Sequence, residues 1–209
     1  MNIIIPKTAL ISLSDKSNLD ELIEFLLDQE VKIISTGGTY KAIKKITDQV
    51  VEVSEFTGFE EMMDGRVKTL HPKIHAGILA RRETDLEVLT DRGYEVIDMV
   101  IVNLYPFQET VASGSSFDEA IEKIDIGGPT MIRSAAKNFK DVAVISDPSD
   151  YAQLMDEWKN QGGISYEFRK ELSQKVFQLM AEYNLAIANY FKGISSRSHQ
   201  YNFSKSESL

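Results

Sequence analysis

Within residues 66–75 the chain gathers Arg66, Lys68, His71, Lys73 and His75, five groups able to carry positive charge in a protein of formal net charge -9. Most such runs are solvated loops. Here Pro72 argues against a regular helix through the stretch, and the apolar run 74–80 that follows predicts a strand. A polar loop entering a buried strand is where α/β proteins place chemistry. Arg66 adds a fork of donors that suits phosphate geometry.

A second constellation is Ser35-Thr36-Gly37-Gly38-Thr39, between a predicted strand and a predicted helix. Phosphate needs backbone N–H groups that can approach closely. Two glycines allow this, and hydroxyls and a helix N-terminus add attraction. A tight left-handed turn with a Thr cap would use the same residues. The turn Ser14-Asp15-Lys16-Ser17, after the first apolar strand, strengthens the phosphate reading. Parallel strands bring both loops to one carboxyl edge of a sheet, where hydroxyls, amides, Lys16 and Arg66 would converge on one anion.

Two further groups are chemically suggestive. Asp125 precedes a predicted helix, with Lys137 about two turns along it; a plain cap and a surface lysine account for the same pair. Asn103-Leu104-Tyr105-Pro106-Phe107 ends the most apolar strand. Tyr105 there points its hydroxyl into the crevice above the sheet, or packs as a core aromatic whose hydroxyl finds a backbone partner. His71 and His75 are four apart, but Pro72 spoils the helical geometry and no cysteine or third histidine lies near, so no metal site is expected. The Rossmann glycine spacing is missing, which argues against a dehydrogenase.

These groups need a scaffold. Apolar runs at 9–13, 31–34, 50–53, 99–104 and 142–145 predict strands. Between the first three lie helical stretches, the first with Leu19, Leu22, Ile23 and Leu26 on one face and Ser17 with Asp20 as an expected capping box. This β-α-β-α-β order marks a parallel sheet with crossover helices. Residues 85–92 predict a helix closed by Gly93. Ser116 with Glu119 predicts another capping box, Pro129 suits a first helical turn, and Asp147-Pro148-Ser149-Asp150 starts a further helix. Ser165 should cap the longest helix, about 25 residues and ~38 Å. Its stripe of Phe168, Leu172, Val176, Leu179, Tyr183, Ile187 and Tyr190 suits either core packing or a subunit contact.

The 209 residues make one domain, expected over 1–193, with a Ser-rich tail at 194–209. An apolar fraction of 43% is enough for a sizeable core without staples. The absence of cysteine removes thiolate catalysis, Cys-ligated zinc and iron–sulfur clusters together. No signal peptide or membrane-spanning run is read, and the acidic balance argues against nucleic acid and anionic membranes as partners. A soluble, cytoplasmic protein is the expectation.

In order along the chain, the two turns above, 66–80, 103–107 and 124–138 resemble the inosine monophosphate cyclohydrolase domain of the bifunctional purine-biosynthesis enzyme. The likeness covers about residues 8 to 192. It implies a methylglyoxal-synthase-like three-layer α/β sandwich, no cofactor, and a homodimer. It also implies ring closure of 5-formamidoimidazole-4-carboxamide ribotide to inosine monophosphate with loss of water. Lys68, Tyr105, Asp125 and Lys137 stand at the catalytic positions by this resemblance. Ser14, Lys16, Ser17, Ser35, Gly37, Gly38, Thr39, Arg66, Thr69, Asn103, Gly127 and Gly128 stand at the phosphate and nucleotide positions. The family's folate-dependent transformylase domain has no counterpart in these residues, so formyl transfer would fall to a separate transformylase. A regulatory nucleotide-binding module of the same fold would need the phosphate loop without the catalytic set. Methylglyoxal synthase would want a carboxylate and histidine arrangement that Asp125 and Lys137 do not offer.

Overall fold

The computed structural model describes residues 2–193. The tail expected from residue 194 lies outside the described residues. The first half of the chain forms β1 (Ile3–Ile4), β2 (Thr8–Leu13), α1 (Leu19–Asp28), β3 (Lys32–Ser35), α2 (Gly37–Ile43), β4 (Val50–Glu52), α3 (Val53–Thr57), α4 (Pro72–Leu79), α5 (Leu86–Thr90) and β5 (Met99–Asn103). The second half forms α6 (Phe107–Ala112), α7 (Phe117–Glu122), α8 (Gly127–Lys137), β6 (Ala143–Ile145), α9 (Tyr151–Gln161), β7 (Ile164–Ser165) and α10 (Tyr166–Phe191).

Five strands build one parallel sheet in the order β4-β3-β2-β5-β6. Strand β2 is central: Leu10 pairs with Ile34 on one side and Val100 on the other, and all three are fully buried. The chain runs outward from β2 to β4, then returns to the far side of β2 for β5 and β6. Right-handed crossovers place α1 and α2 on one face and α8 on the other. Helix α9 joins the first layer, where Trp158 meets Phe25 edge-on at 5.7 Å. Helices α4 and α10 pack with α8 in the second. The result is the expected three-layer α/β sandwich, and its strand order reverses between β2 and β5. Their carboxyl ends therefore open onto a crevice.

Several local expectations are corrected. Residues 74–80 are not a strand; most of them belong to α4, with Ile74, Gly77 and Ile78 buried at i, i+3, i+4 spacing. Pro72 starts this helix instead of preventing it, because the first turn needs no N–H from it. His71 caps it, its Nδ1 accepting from the Lys73 N–H at 3.1 Å. Ser17 and Asp20 form no capping box: α1 follows Asn18 at φ 56°, and the Ser17 hydroxyl donates to Asp15 at 2.6 Å.

Other signals translate directly. Ser116 and Glu119 make a reciprocal capping box at α7, and the Ser165 hydroxyl accepts from the Phe168 N–H at 3.3 Å to cap α10. Along the 26 residues of α10, Phe168, Leu172, Val176 and Tyr183 are buried, with Leu179, Ile187 and Tyr190 packed beside them. Most of the stripe is thus core of its own chain.

A two-strand antiparallel pair, β1 with β7, had no sequence signal. Arg169 lies beside it, wholly buried. Its guanidinium donates to the carbonyls of Phe139 and Lys140, each at 2.9 Å, to that of Ile164, and to the Asn2 side-chain oxygen at 3.0 Å.

Candidate active site

At the carboxyl edge of the sheet a cavity of about 460 Å³ is enclosed by the loops after β2, β3 and β5, by residues 64–69 and by the turn from α7 into α8. On the β3 side it is lined by Ser14, Lys16, Gly37, Gly38 and Thr39. Arg66, Lys68 and Thr69 line another wall, and Asn103, Tyr105, Asp125, Gly127 and Gly128 complete it. Thirteen of the sixteen expected site residues thus meet around one space, drawn from segments far apart in sequence.

The β3 side is built by backbone control. Gly37 opens α2 at φ 54°, a left-handed value that suits glycine. A Cβ at Gly37 would stand 3.2 Å from the Lys68 Nζ, and one at Gly65 3.3 Å from the same atom, so the ammonium group rests in a notch made by two glycines. The first amides of α2 have no partner inside the helix and border the cavity. Thr39 is committed elsewhere: its Oγ1 accepts from the Leu13 N–H at 2.8 Å and donates to the Leu13 carbonyl at 3.0 Å. Asn103 holds the 14–15 turn, its Oδ1 accepting from the N–H groups of Ser14 and Asp15 at 2.7 and 3.0 Å. These two side chains fix loop positions and present backbone to the cavity.

The opposite side holds the reactive groups. The Asp125 Oδ1 accepts from the Gly128 N–H at 2.9 Å, and the Asp125 N–H donates to the Tyr183 hydroxyl of α10 at 2.8 Å. Burial pushes the Asp125 carboxyl above the ordinary aspartate value, while the amides of Gly128, Tyr105 and Gly127 and the Lys68 charge pull it back. Gly128 is required by contact: a Cβ there would lie 2.5 Å from Asp125 Oδ2 and 2.8 Å from Leu104 Cδ2. Gly127 backs onto Thr69, whose hydroxyl oxygen would be 2.6 Å from an added Cβ. Tyr105 is 52% exposed, so its phenol is open to a ligand and is not a core aromatic.

Three expected residues stay out. Ser35 is buried and its hydroxyl donates to the Ile11 carbonyl at 2.8 Å, within the sheet. Ser17 faces Asp15. Lys137 ends the 11-residue α8, which puts about 16 Å of helix between it and the Gly127 end. It is exposed, and it lies nearly three turns into the helix where about two were expected. Within one chain, then, Asp125 and Lys137 are not a pair.

The cavity also recruits residues that sequence reasoning passed over. Glu122 pairs with Arg66 at 3.3 Å, and Glu61 stands 3.6 Å from the Lys68 Nζ. Lys123 lies over the Tyr105 ring at 5.8 Å. Adjacency to the Asp125 motif was the one available signal for Glu122 and Lys123. Among the described residues no three His, Cys, Asp or Glu side chains cluster as metal ligands, and no helix is long and apolar enough to cross a membrane.

Fold and site together define a class: a parallel-sheet α/β sandwich with cations, hydroxyls and one raised carboxyl gathered at its topological switch point. The family model for the MGS-like domain matches residues 18–130, and the chain belongs to that family. The model for the AICARFT/IMPCHase bienzyme matches residues 135–209. Among curated relatives, the bifunctional purine biosynthesis protein PurH of Clostridium perfringens is 54% identical over 186 residues, 88% of this chain and 37% of that protein. PurH of Clostridium kluyveri is 53% identical over 184 residues, 87% of this chain and 37% of that one. The chain thus spans little more than a third of the relatives it matches. The solved structure of ForH is similar at a TM-score of 0.76 and 33% identity, covering 89% of this chain and 99% of that one.

Proposed function

We propose that this chain is an IMP cyclohydrolase, closing 5-formamidoimidazole-4-carboxamide ribotide to inosine monophosphate with loss of water. The observation that carries the proposal is the meeting of Lys68, Tyr105 and Asp125 around one cavity with the Gly37-Gly38 loop. The PurH relatives and the bienzyme match support it.

In this proposal the 5′-phosphate lies on the β3 side, held by the amides of Gly37 and Gly38, by Ser14 and Lys16, and by Arg66 once Glu122 releases it. The carboxamide nitrogen is a poor nucleophile and must attack a formyl carbon in the same molecule. Holding the two groups adjacent and coplanar removes most of the entropic cost. Asp125 takes the proton that the nitrogen gives up as the N–C bond forms; burial raises its pKa and so makes it a stronger base than a solvated aspartate. Lys68 stabilises the oxyanion left on the former formyl carbon. Tyr105 relays that proton from Asp125 to the oxygen, and the former formamide nitrogen gives up its own proton as the ring C=N bond forms; with both protons the oxygen departs as water. Lys137 has no step here, since its own chain keeps it outside the cavity. Ser17 and Ser35 are likewise left out of phosphate binding.

A homodimer and a cytoplasmic setting belong to the same proposal. The open substrate carries a formamide, so a formyl-transfer step must precede this one. Exposed Phe117 and Phe191, packed edge to face at 5.9 Å, offer apolar surface for a second copy. The test is to mix purified protein with the formamido ribotide and follow ultraviolet absorbance. Multiple-turnover ring closure is the expected result. Uptake of the ribotide without conversion would replace this function with that of a nucleotide-binding module.

A further inference from the structure

Lys123 follows the last residue of α7 and borders the cavity two positions before Asp125. The other cations of the cavity are engaged. Lys16 donates to the carbonyls of Leu13 and Ser14, Arg66 faces Glu122 and Lys68 faces Glu61. Lys123 makes no ion pair and no side-chain hydrogen bond among the described residues; its neighbour is the face of Tyr105. Of the four cations that line the cavity, Lys123 is thus the one with no hydrogen-bonded or ion-paired partner among the described residues.

Position indicates what it would meet. Strand β2 separates β3 from β5, so the Gly37-Gly38 loop and the Tyr105 side stand about 10 Å apart across the sheet. With phosphate on the β3 side, the base of a ribotide falls beside Tyr105 and Lys123. An ammonium group has three donors and no acceptor. It can hold an oxygen, whereas an amino group would set donor against donor.

We propose that Lys123 is a specificity-determining contact, its ammonium donating to the carboxamide oxygen of the open ribotide, the atom that becomes the exocyclic oxygen of the closed purine. The inference rests on the ribotide reading of the cavity. It makes the site select a 6-oxopurine product over a 6-aminopurine one.

Calorimetric titration of the full chain with IMP, AMP and inorganic phosphate tests it. Wild-type protein should bind IMP at least about tenfold more tightly than AMP, the size of one charge-assisted hydrogen bond. Lys123→Met should weaken IMP by about 10- to 100-fold and leave AMP and phosphate within about twofold. Lys123→Arg should restore most of the loss. A general loosening of α7 would weaken all three ligands alike, and that result, or unchanged IMP binding, overturns the contact. If wild-type protein still takes up IMP in that case, the ribotide reading survives. Wild-type protein that binds neither nucleotide overturns both.

Discussion

At the amino edge of the sheet, arginines are tied down by backbone. Arg169 is wholly buried among carbonyls, and Arg82 donates to the Ala80 carbonyl at 2.6 Å, to that of Ile97 at 2.9 Å and to Asp98 at 3.3 Å. At the carboxyl edge, Lys68 and Arg66 face single carboxylates at 3.6 and 3.3 Å across partly exposed surface. The first arrangement satisfies its donors permanently, since no ligand can displace a backbone carbonyl built into the fold. The second leaves charges that an incoming anion can claim, because exposed pairs of this kind are worth little on their own. Charge at one edge serves assembly; at the other it stays accessible at a cavity.

Substitutions sharpen the contrast from either side. Arg169→Met should show the largest loss of stability, on the order of 4 kcal/mol, because several buried carbonyls lose their donor at once. Urea unfolding would measure it, and molecules that remain folded should cyclise at the wild-type rate. If instead activity collapses while the unfolding midpoint stays fixed, the two edges are not independent.

Asp125→Asn should cut turnover by about 10³-fold. Its wild-type acid limb should lie above the ordinary aspartate value of 3.8, because burial disfavours the charged form, and the limb should vanish in the variant. The sign for stability is opposite to that of a salt-bridged carboxylate. A raised folded pKa stabilises below 3.8 and loses that contribution as pH climbs through the folded value, so at neutral pH the Asn protein should unfold slightly later. A pH series of rates and unfolding midpoints checks both halves.

Lys68→Ala should lower turnover by about 10²-fold with a stability change within about 0.5 kcal/mol. A normally folded Lys68→Ala protein with wild-type turnover would remove its oxyanion role. Smallest is Ser165→Ala, which strips the cap from α10 at a cost of about 1 kcal/mol. Denaturant titration would show it, with no expected change in nucleotide affinity.

The parts legible in sequence were those governed by short-range physics. Strands β2, β3, β5 and β6 announce themselves as apolar runs, and the capping residues Ser116 and Ser165 mark their helices. The run after Pro72 misled because a buried strand and a buried helix segment look alike over a few residues, and proline at a first helical turn reads as a breaker. Residues that line the cavity were legible where a motif fixes backbone, as at Gly37, Gly127 and Gly128. Side-chain direction was not: Ser35 is beside the loop in sequence yet turns into the sheet, and Lys137 lies along a helix whose length carries it away. Lys123 was passed over because a lysine at the end of a short helix carries no signal until Tyr105 is seen beneath it.

Strand β1 meets β7, so Ile3 and Ile4 are bonded to residues some 160 positions later. During synthesis the opening residues must therefore wait, unpaired, until Ile164 and Ser165 have left the ribosome. Only then can Arg169 reach Asn2 and close the amino edge. Deleting the residues ahead of Lys7 would leave the central sheet intact but strip that late fastening, exposing Ile164 and depriving a buried guanidinium of both Asn2 oxygens.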